Sequence, residues 1–332
     1  MKKRILFSAI LVALVACNKG PRVELQSWES YRNPVVQEGR EDPAVLYSGG
    51  KFYVFYNGAG DDDVVPIMES EDLVSWEALT PAFTALTAPA PFPNCSIRAC
   101  SVIAHGDEFL MYYTASAGVS VVGVASAPFP TGPWTDIGTI VTSVTSDAVL
   151  TGDPSVFSAD GALYLAVGTS KGIYLLTLSA DGMSLAGDSP VKLASEAFFA
   201  PAIVKHEGKW YLLATNGAVS GGEASKARIV YGRADNATGP FVNRLDEAML
   251  DGAFEVLVEG GTKFAGPGNC SAPVELPDGT TWLVYNAYDL ADVTRGRTLM
   301  LDPLFWEDGW MKVRGRTPSF CSDCPVIKTE KQ

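Results

Sequence analysis

The sequence predicts an all-β protein, a five-bladed β-propeller with four-stranded antiparallel blades. Three observations predict it. A pattern of thirteen residues recurs five times without a gap, at 45–57, 102–114, 156–168, 203–215 and 274–286. Its fifth and sixth positions hold a two-residue turn in each copy: Gly49-Gly50, Gly106-Asp107, Asp160-Gly161, Glu207-Gly208 and Asp278-Gly279. An apolar run follows each turn, at 52–56, 109–113, 163–167, 210–214 and 281–285. Strand, tight turn and aromatic-rich strand make a β-hairpin signature, and hairpins repeated this often without an amphipathic helix build a radial array.

The elements follow in order. Lys2, Lys3 and Arg4 precede an apolar run over 5–16, the pattern of a secretion signal too short to span a bilayer. Its end, Leu14-Val15-Ala16-Cys17, resembles a bacterial lipobox. That resemblance implies cleavage before Cys17, acylation of its thiol, and a protein held on a membrane by lipid outside the cytoplasm, periplasmic or cell-surface facing. Residues 1–16 are therefore expected to be a lipoprotein signal peptide, 17–24 a lipidated tether, and 25–332 a single propeller domain. Residues near 23–36 are expected to supply the strand that closes the ring beside the last blade. Third strands are expected at 64–68, 121–125, 173–178, 228–233 and 297–301, with outer-strand markers at Trp76, Trp134, Phe241 and Trp310.

Composition narrows the chemistry. Hydrophobic residues make up 47% and charged residues 19%, a globular composition. The chain has 25 Lys+Arg against 38 Asp+Glu, which argues against nucleic acid as a partner. Only two histidines, His105 and His206, are present, so Ser-His-Asp triads and histidine-based zinc sites are nearly excluded. Both sit beside hairpin turns and are expected to face solvent. Beyond Cys17, the spacing of Cys95 with Cys100 and of Cys321 with Cys324 fits two short bridges with Cys270 left over, and longer pairings fit equally. Asp61-Asp62-Asp63 lacks the spacing of a calcium loop and reads as solvated.

Candidate site residues come from the channel. Propellers place the start of each innermost strand around the central axis, three residues before each thirteen-residue copy: Asp42, Ala99, Asp153, Ala200 and Ser271. Asp42 and Asp153 are each followed by proline, which extends the chain and fixes its direction. A carboxylate entering an apolar strand is costly unless solvated or paired, so two in equivalent slots mark a site. Converging carboxylates without His, Cys or metal ligands favour glycoside hydrolysis, which needs one base and one proton donor. A third carboxylate can hold the donor's pKa up by like-charge repulsion.

On these residues the chain resembles glycoside hydrolase family 43, the arabinanases, arabinofuranosidases and β-xylosidases. Asn33-Pro34-Val35 with Asp42-Pro43-Ala44-Val45 is similar to the family's opening. Ser70-Glu71-Asp72-Leu73-Val74-Ser75-Trp76 matches its S-x-D-L-x-x-W stretch. Asp153-Pro154-Ser155-Val156-Phe157, Thr238-Gly239-Pro240-Phe241, Gly266-Pro267-Gly268 and Trp306-Glu307-Asp308-Gly309-Trp310 resemble later landmarks in the same order. The resemblance implies an inverting glycosidase acting on arabinose-, xylose- or galactose-containing glycans. Asp42 would be the general base and Asp153 the orienting carboxylate that tunes the donor.

The departures are specific. The family's general acid, a glutamate two residues before a proline in the fourth blade, reads Phe199-Ala200-Pro201 here. The nearest glutamate is Glu196, so either Glu196 is the donor or the donor is lost, which would leave a catalytically silent glycan-binding propeller. The second blade's W-A-P-D reads Arg98-Ala99-Cys100-Ser101. The histidine after Gly-Pro-Gly that helps hold a central metal ion in arabinanases reads Asn269, and the histidine of a later Tyr-His pair reads Asn286, so no cofactor is expected. Arg98, Phe199, Asn269 and Arg297 are the candidate substrate-binding residues.

Overall fold

The computed structural model describes residues 29–58, 64–89, 96–187 and 189–327. The signal segment, Cys17, the tether, the Asp61–Asp63 run and Cys95 lie outside them. Five antiparallel sheets form five blades around one axis. The first four blades hold four strands each and run in simple sequence order. Their inner strands are Ala44–Ser48, Ser96–His105, Leu150–Ala159 and Phe198–His206. Among the described residues the only helical segments are four 3₁₀ turns.

The second strands are mostly apolar in their central residues, where both faces are buried. In the fourth blade, Trp210, Leu212 and Ala214 join the core shared with blade 3, while Tyr211 and Leu213 join the core shared with blade 5. Leu110 and Tyr112 split from Met111 and Tyr113 in the same way in blade 2. The period-two alternation of a strand thus feeds two seams at once. Each pair of neighbouring blades shares such a core, the last one joining Trp282 and Leu301 of blade 5 to Phe52 and Leu73 of blade 1.

The hairpin turns follow the predicted chemistry in four copies. Ser48 pairs with Lys51 across Gly49 and Gly50, whose φ values of 59° and 81° suit a primed turn. The fifth copy differs. Pro277 widens its turn, and the Leu276 N–H bonds the Thr280 carbonyl at 2.8 Å, leaving three residues in the loop rather than two.

The ring closes with Val36–Gly39, which pairs with Arg297–Glu307 of the last blade, at the far end of the 23–36 window and just beyond it. A second ribbon, Ser30–Arg32 with Cys321–Asp323, joins the two ends of the described chain. One outer-strand marker needs correction. The fourth strand of blade 4 is Glu255–Val258, with Phe241 in a hairpin-like excursion before it. Trp310 lies on a short strand, Trp310–Lys312, that extends blade 5 outward. Cys321 and Cys324 are free thiols, so the short bridge allowed by their spacing is not formed. His206 does not simply face solvent: it stacks on Trp306 with ring centroids 3.8 Å apart.

Candidate active site

Each inner strand carries, at a register break within it or beside its end, one residue in the left-handed region. These are Asp42 (φ 53°), Ala99 (44°), Asp153 (51°), Ala200 (49°) and Asn269 (50°). Non-glycine residues resist this conformation by roughly 1–2 kcal/mol each, so its recurrence at one place in every blade marks a constrained site. With the residues that follow them, Pro43, Cys100, Pro154, Pro201 and Cys270, they line one small open cavity. The fifth slot belongs to Asn269, two residues before the Ser271 expected from the spacing. The inner strand of blade 5 is split into Phe264–Gly268 and Val274–Glu275, and the break shifts the count. Ser271 instead accepts a hydrogen bond from the Val45 N–H at 3.0 Å.

A ring of side chains holds these residues in place. Asn57 Oδ1 accepts from the Ala99 N–H at 2.7 Å, and Thr114 Oγ1 from the Asp153 N–H at 3.1 Å. Thr215 Oγ1 accepts from the Asn269 N–H at 2.8 Å, and Asn286 Oδ1 from the Asp42 N–H at 2.8 Å. All four are the thirteenth residue of a copy, and each fixes the left-handed residue of the following blade, with blade 5 returning to blade 1. In blade 3 that position is Gly168. Sequence reasoning missed this ring. Its signal was present as a polar thirteenth position in the other copies.

The two aspartates meet on the cavity floor. Asp42 accepts from Asn57 Nδ2 at 2.7 Å on one carboxylate oxygen and from Asn269 Nδ2 on the other. Asp153 accepts no side-chain hydrogen bond among the described residues. Its carboxyl is raised well above the usual carboxylate range, by burial first and by the charge of Asp42 second, with Arg98 opposing.

The residues one position before the floor residues in each blade are not among those lining the cavity. Glu41 and Arg98 are exposed, Phe199 is half-buried, and Gly152 and Gly268 are buried. Glu41, which the sequence reading passed over, has its carboxyl raised by burial first and by Asp42 second, with Arg297 opposing. Arg297 is buried beside Gly268, within electrostatic reach of Glu41 and Asp42. Its Nη2 donates to the carbonyls of Gly266 and Asn286, each at 3.3 Å. Glu196 stands exposed in the turn before Phe198–His206, and it is not among the residues lining the cavity.

Asn269 and Asn286, which stand where the resemblance implies histidines, are both engaged in hydrogen bonds within the protein. Asn269 Oδ1 accepts from Thr215 at 3.2 Å while its amide donates to Asp42. Asn286 Oδ1 serves the Asp42 N–H, and its amide donates to the carbonyls of Arg40 and Thr298. A neutral amide is a weak metal ligand beside imidazole.

A five-bladed propeller with two aspartates on its channel floor has the carboxylate pair that glycoside hydrolysis uses. Comparison with known proteins makes the assignment narrower. The family model "Glycosyl hydrolases family 43" matches residues 31–311, and the chain belongs to that family. It is 27% identical over 284 residues to the extracellular endo-α-(1→5)-L-arabinanase 1 of Bacillus subtilis, covering 81% of this chain and 86% of that protein. It is 26% identical over 303 residues to the extracellular exo-α-(1→5)-L-arabinofuranosidase ArbA of Cellvibrio japonicus, covering 82% and 85%. The solved α-L-arabinanase of Cellvibrio cellulosa superposes with a TM-score of 0.74 at 25% identity, covering 82% of this chain and 95% of that one. The same enzyme has been solved with arabinohexaose.

Proposed function

We propose that the protein is an exported, lipid-anchored glycosidase that hydrolyses arabinose-containing oligo- or polysaccharides with inversion at the anomeric carbon. The observation that carries this is the pair Asp42 and Asp153 on one channel floor, in a chain whose relatives are named as arabinanases and arabinofuranosidases. Asp42 withdraws the proton of the attacking water. Its two amide partners orient the carboxylate, as a base that must act in one direction requires. A second carboxyl protonates the leaving sugar. The sequence nominates Glu196 for that step, with Asp153 tuning it. Arg98 and Phe199, each one position before a floor residue, offer a guanidinium for sugar hydroxyls and a ring face for stacking.

The test is Asp42→Asn, which keeps size and removes the proton acceptor. Turnover of aryl arabinofuranosides and arabino-oligosaccharides should fall by about 10² or more while sugar binding survives. Unchanged turnover would remove Asp42 from the chemistry. A glycan-capturing propeller without turnover is the second reading, favoured by Phe199 in the family's acid slot. It is selected if the unmodified protein binds sugars but cleaves no activated aryl glycoside.

A further inference from the structure

The pseudo-fivefold symmetry allows the two floor aspartates to be compared atom by atom, because they occupy the same slot in blades 1 and 3. Asp42 receives two side-chain hydrogen bonds. One comes from Asn57, the thirteenth residue of its own blade, and one from Asn269, the floor residue of the preceding blade. The symmetry-related neighbours of Asp153 are Gly168 and Ala99. Gly168 offers no side chain, and a Cβ there would stand 3.9 Å from Asp153 Oδ2 and 2.8 Å from Thr151 Oγ1. Ala99 offers a methyl group, buried on the floor. The scaffold is retained, since both backbone N–H groups are capped by the preceding blade. Only the two amide donors are withdrawn. One slot is thus built to hold a hydrogen-bond-accepting carboxylate and the other to hold a carboxyl without donors. Paired titratable groups in environments that differ this way divide into base and acid.

We propose that Asp153 is the proton donor of this glycosidase, acting from the channel floor in place of the glutamate that blade 4 lacks. The proposal rests on the glycosidase reading and changes one role within it, since neither Glu196 nor a metal is then required. As the bond between the anomeric carbon and the glycosidic oxygen breaks, the Asp153 carboxyl proton passes to that oxygen. Water adds to the opposite face of the anomeric carbon and gives its proton to Asp42. The cycle closes when Asp42 loses its proton to solvent and Asp153 regains one. The groups facing Asp153 are Asp42 from blade 1 and Arg98 from blade 2. Glu41 and Arg297 act on it through Asp42. Burial and the Asp42 charge favour the protonated form, and Arg98 opposes them, so the acid is held ready at neutral pH.

The experiment compares a poor and a good leaving group. Asp153→Asn should lose about 10²-fold or more on arabino-oligosaccharides, yet stay within about tenfold of wild type on a dinitrophenyl arabinofuranoside, whose leaving group needs no proton. On arabino-oligosaccharides the residual turnover of the variant should also lack the basic limb of the wild-type kcat/KM profile. Ala99→Asn provides a second readout that leaves Asp153 in place. The amide it introduces mirrors Asn269 and should move the basic limb about one pH unit lower. The same leaving-group pattern in Glu196→Gln or Glu41→Gln would overturn the proposal. So would equal losses on both substrates in Asp153→Asn, or an unmoved basic limb in Ala99→Asn. A wild-type protein inert on every activated glycoside would instead refute the glycosidase reading itself.

Discussion

Asp302 shows how far one residue's environment can be read into solution behaviour. It is 1% exposed, far from the channel, and accepts from the Tyr285 hydroxyl at 2.6 Å and from the Ser319 N–H at 3.2 Å. Burial outweighs these bonds and pushes its carboxyl up to about 6. A carboxyl raised in the folded state favours folding while protonated, so that contribution is present below about pH 4 and is lost as pH rises through about 6. The shift of about two pH units corresponds to roughly 3 kcal/mol. Asp302→Asn should therefore flatten this part of the pH dependence of the Tm between about pH 4 and 7, as calorimetry would show. An unchanged difference between wild type and variant across that range would contradict the assignment. At the same scale, the Asp-Pro dipeptides exposed the floor aspartates in the sequence alone. The donors around them were not legible, because Asn57 and Asn269 reach Asp42 from positions 15 and 227 residues away.

At the scale of the element, the hairpins were the most legible feature, since turn and strand chemistry are local. Where the count failed, a local cause is visible: Pro277 widened the fifth turn, and the broken fifth inner strand moved the floor residue from Ser271 to Asn269. The outer strands were less legible because they are short and pair through loops of variable length. Glu207 is the least suited turn residue in the set, at φ 45° with a side chain that gains nothing from the left-handed region. Glu207→Asn creates the Asn-Gly pair preferred for a primed two-residue turn. It should stabilise the protein by about 1 kcal/mol, measured as a higher urea midpoint at unchanged slope. A lower midpoint would show that the Glu207 side chain has a compensating role.

For the whole molecule, closure of the ring is the non-local step. Asn33 clamps Leu301 of the last blade on both backbone groups: its Oδ1 accepts from the Leu301 N–H at 2.9 Å, and its Nδ2 donates to the Leu301 carbonyl at 2.8 Å. The Tyr31 hydroxyl donates to the same carbonyl at 2.6 Å. Asn33→Ala leaves a buried N–H without its acceptor and should cost about 3 kcal/mol. Hydrogen exchange should then accelerate first in Arg297–Glu307 and Val36–Gly39, before the seam between blades 3 and 4. Uniform acceleration in all blades would mean that the ring opens as one unit rather than at this seam.

The short ribbon between Ser30–Arg32 and Cys321–Asp323 has a mechanical consequence. Ser30 faces Asp323, and Arg32 faces Cys321, so both chain ends leave the ribbon on the same side. Tension applied between those ends would load its hydrogen bonds one pair at a time, as in peeling adhesive tape, rather than all together in shear. The ribbon would give way at low force and lengthen the slack at either end. The blades behind it, fastened through Val36–Gly39 and the Asn33 clamp, would then begin to carry load. Under tension between those ends, that order makes the ribbon a fuse that spends itself before the channel is distorted.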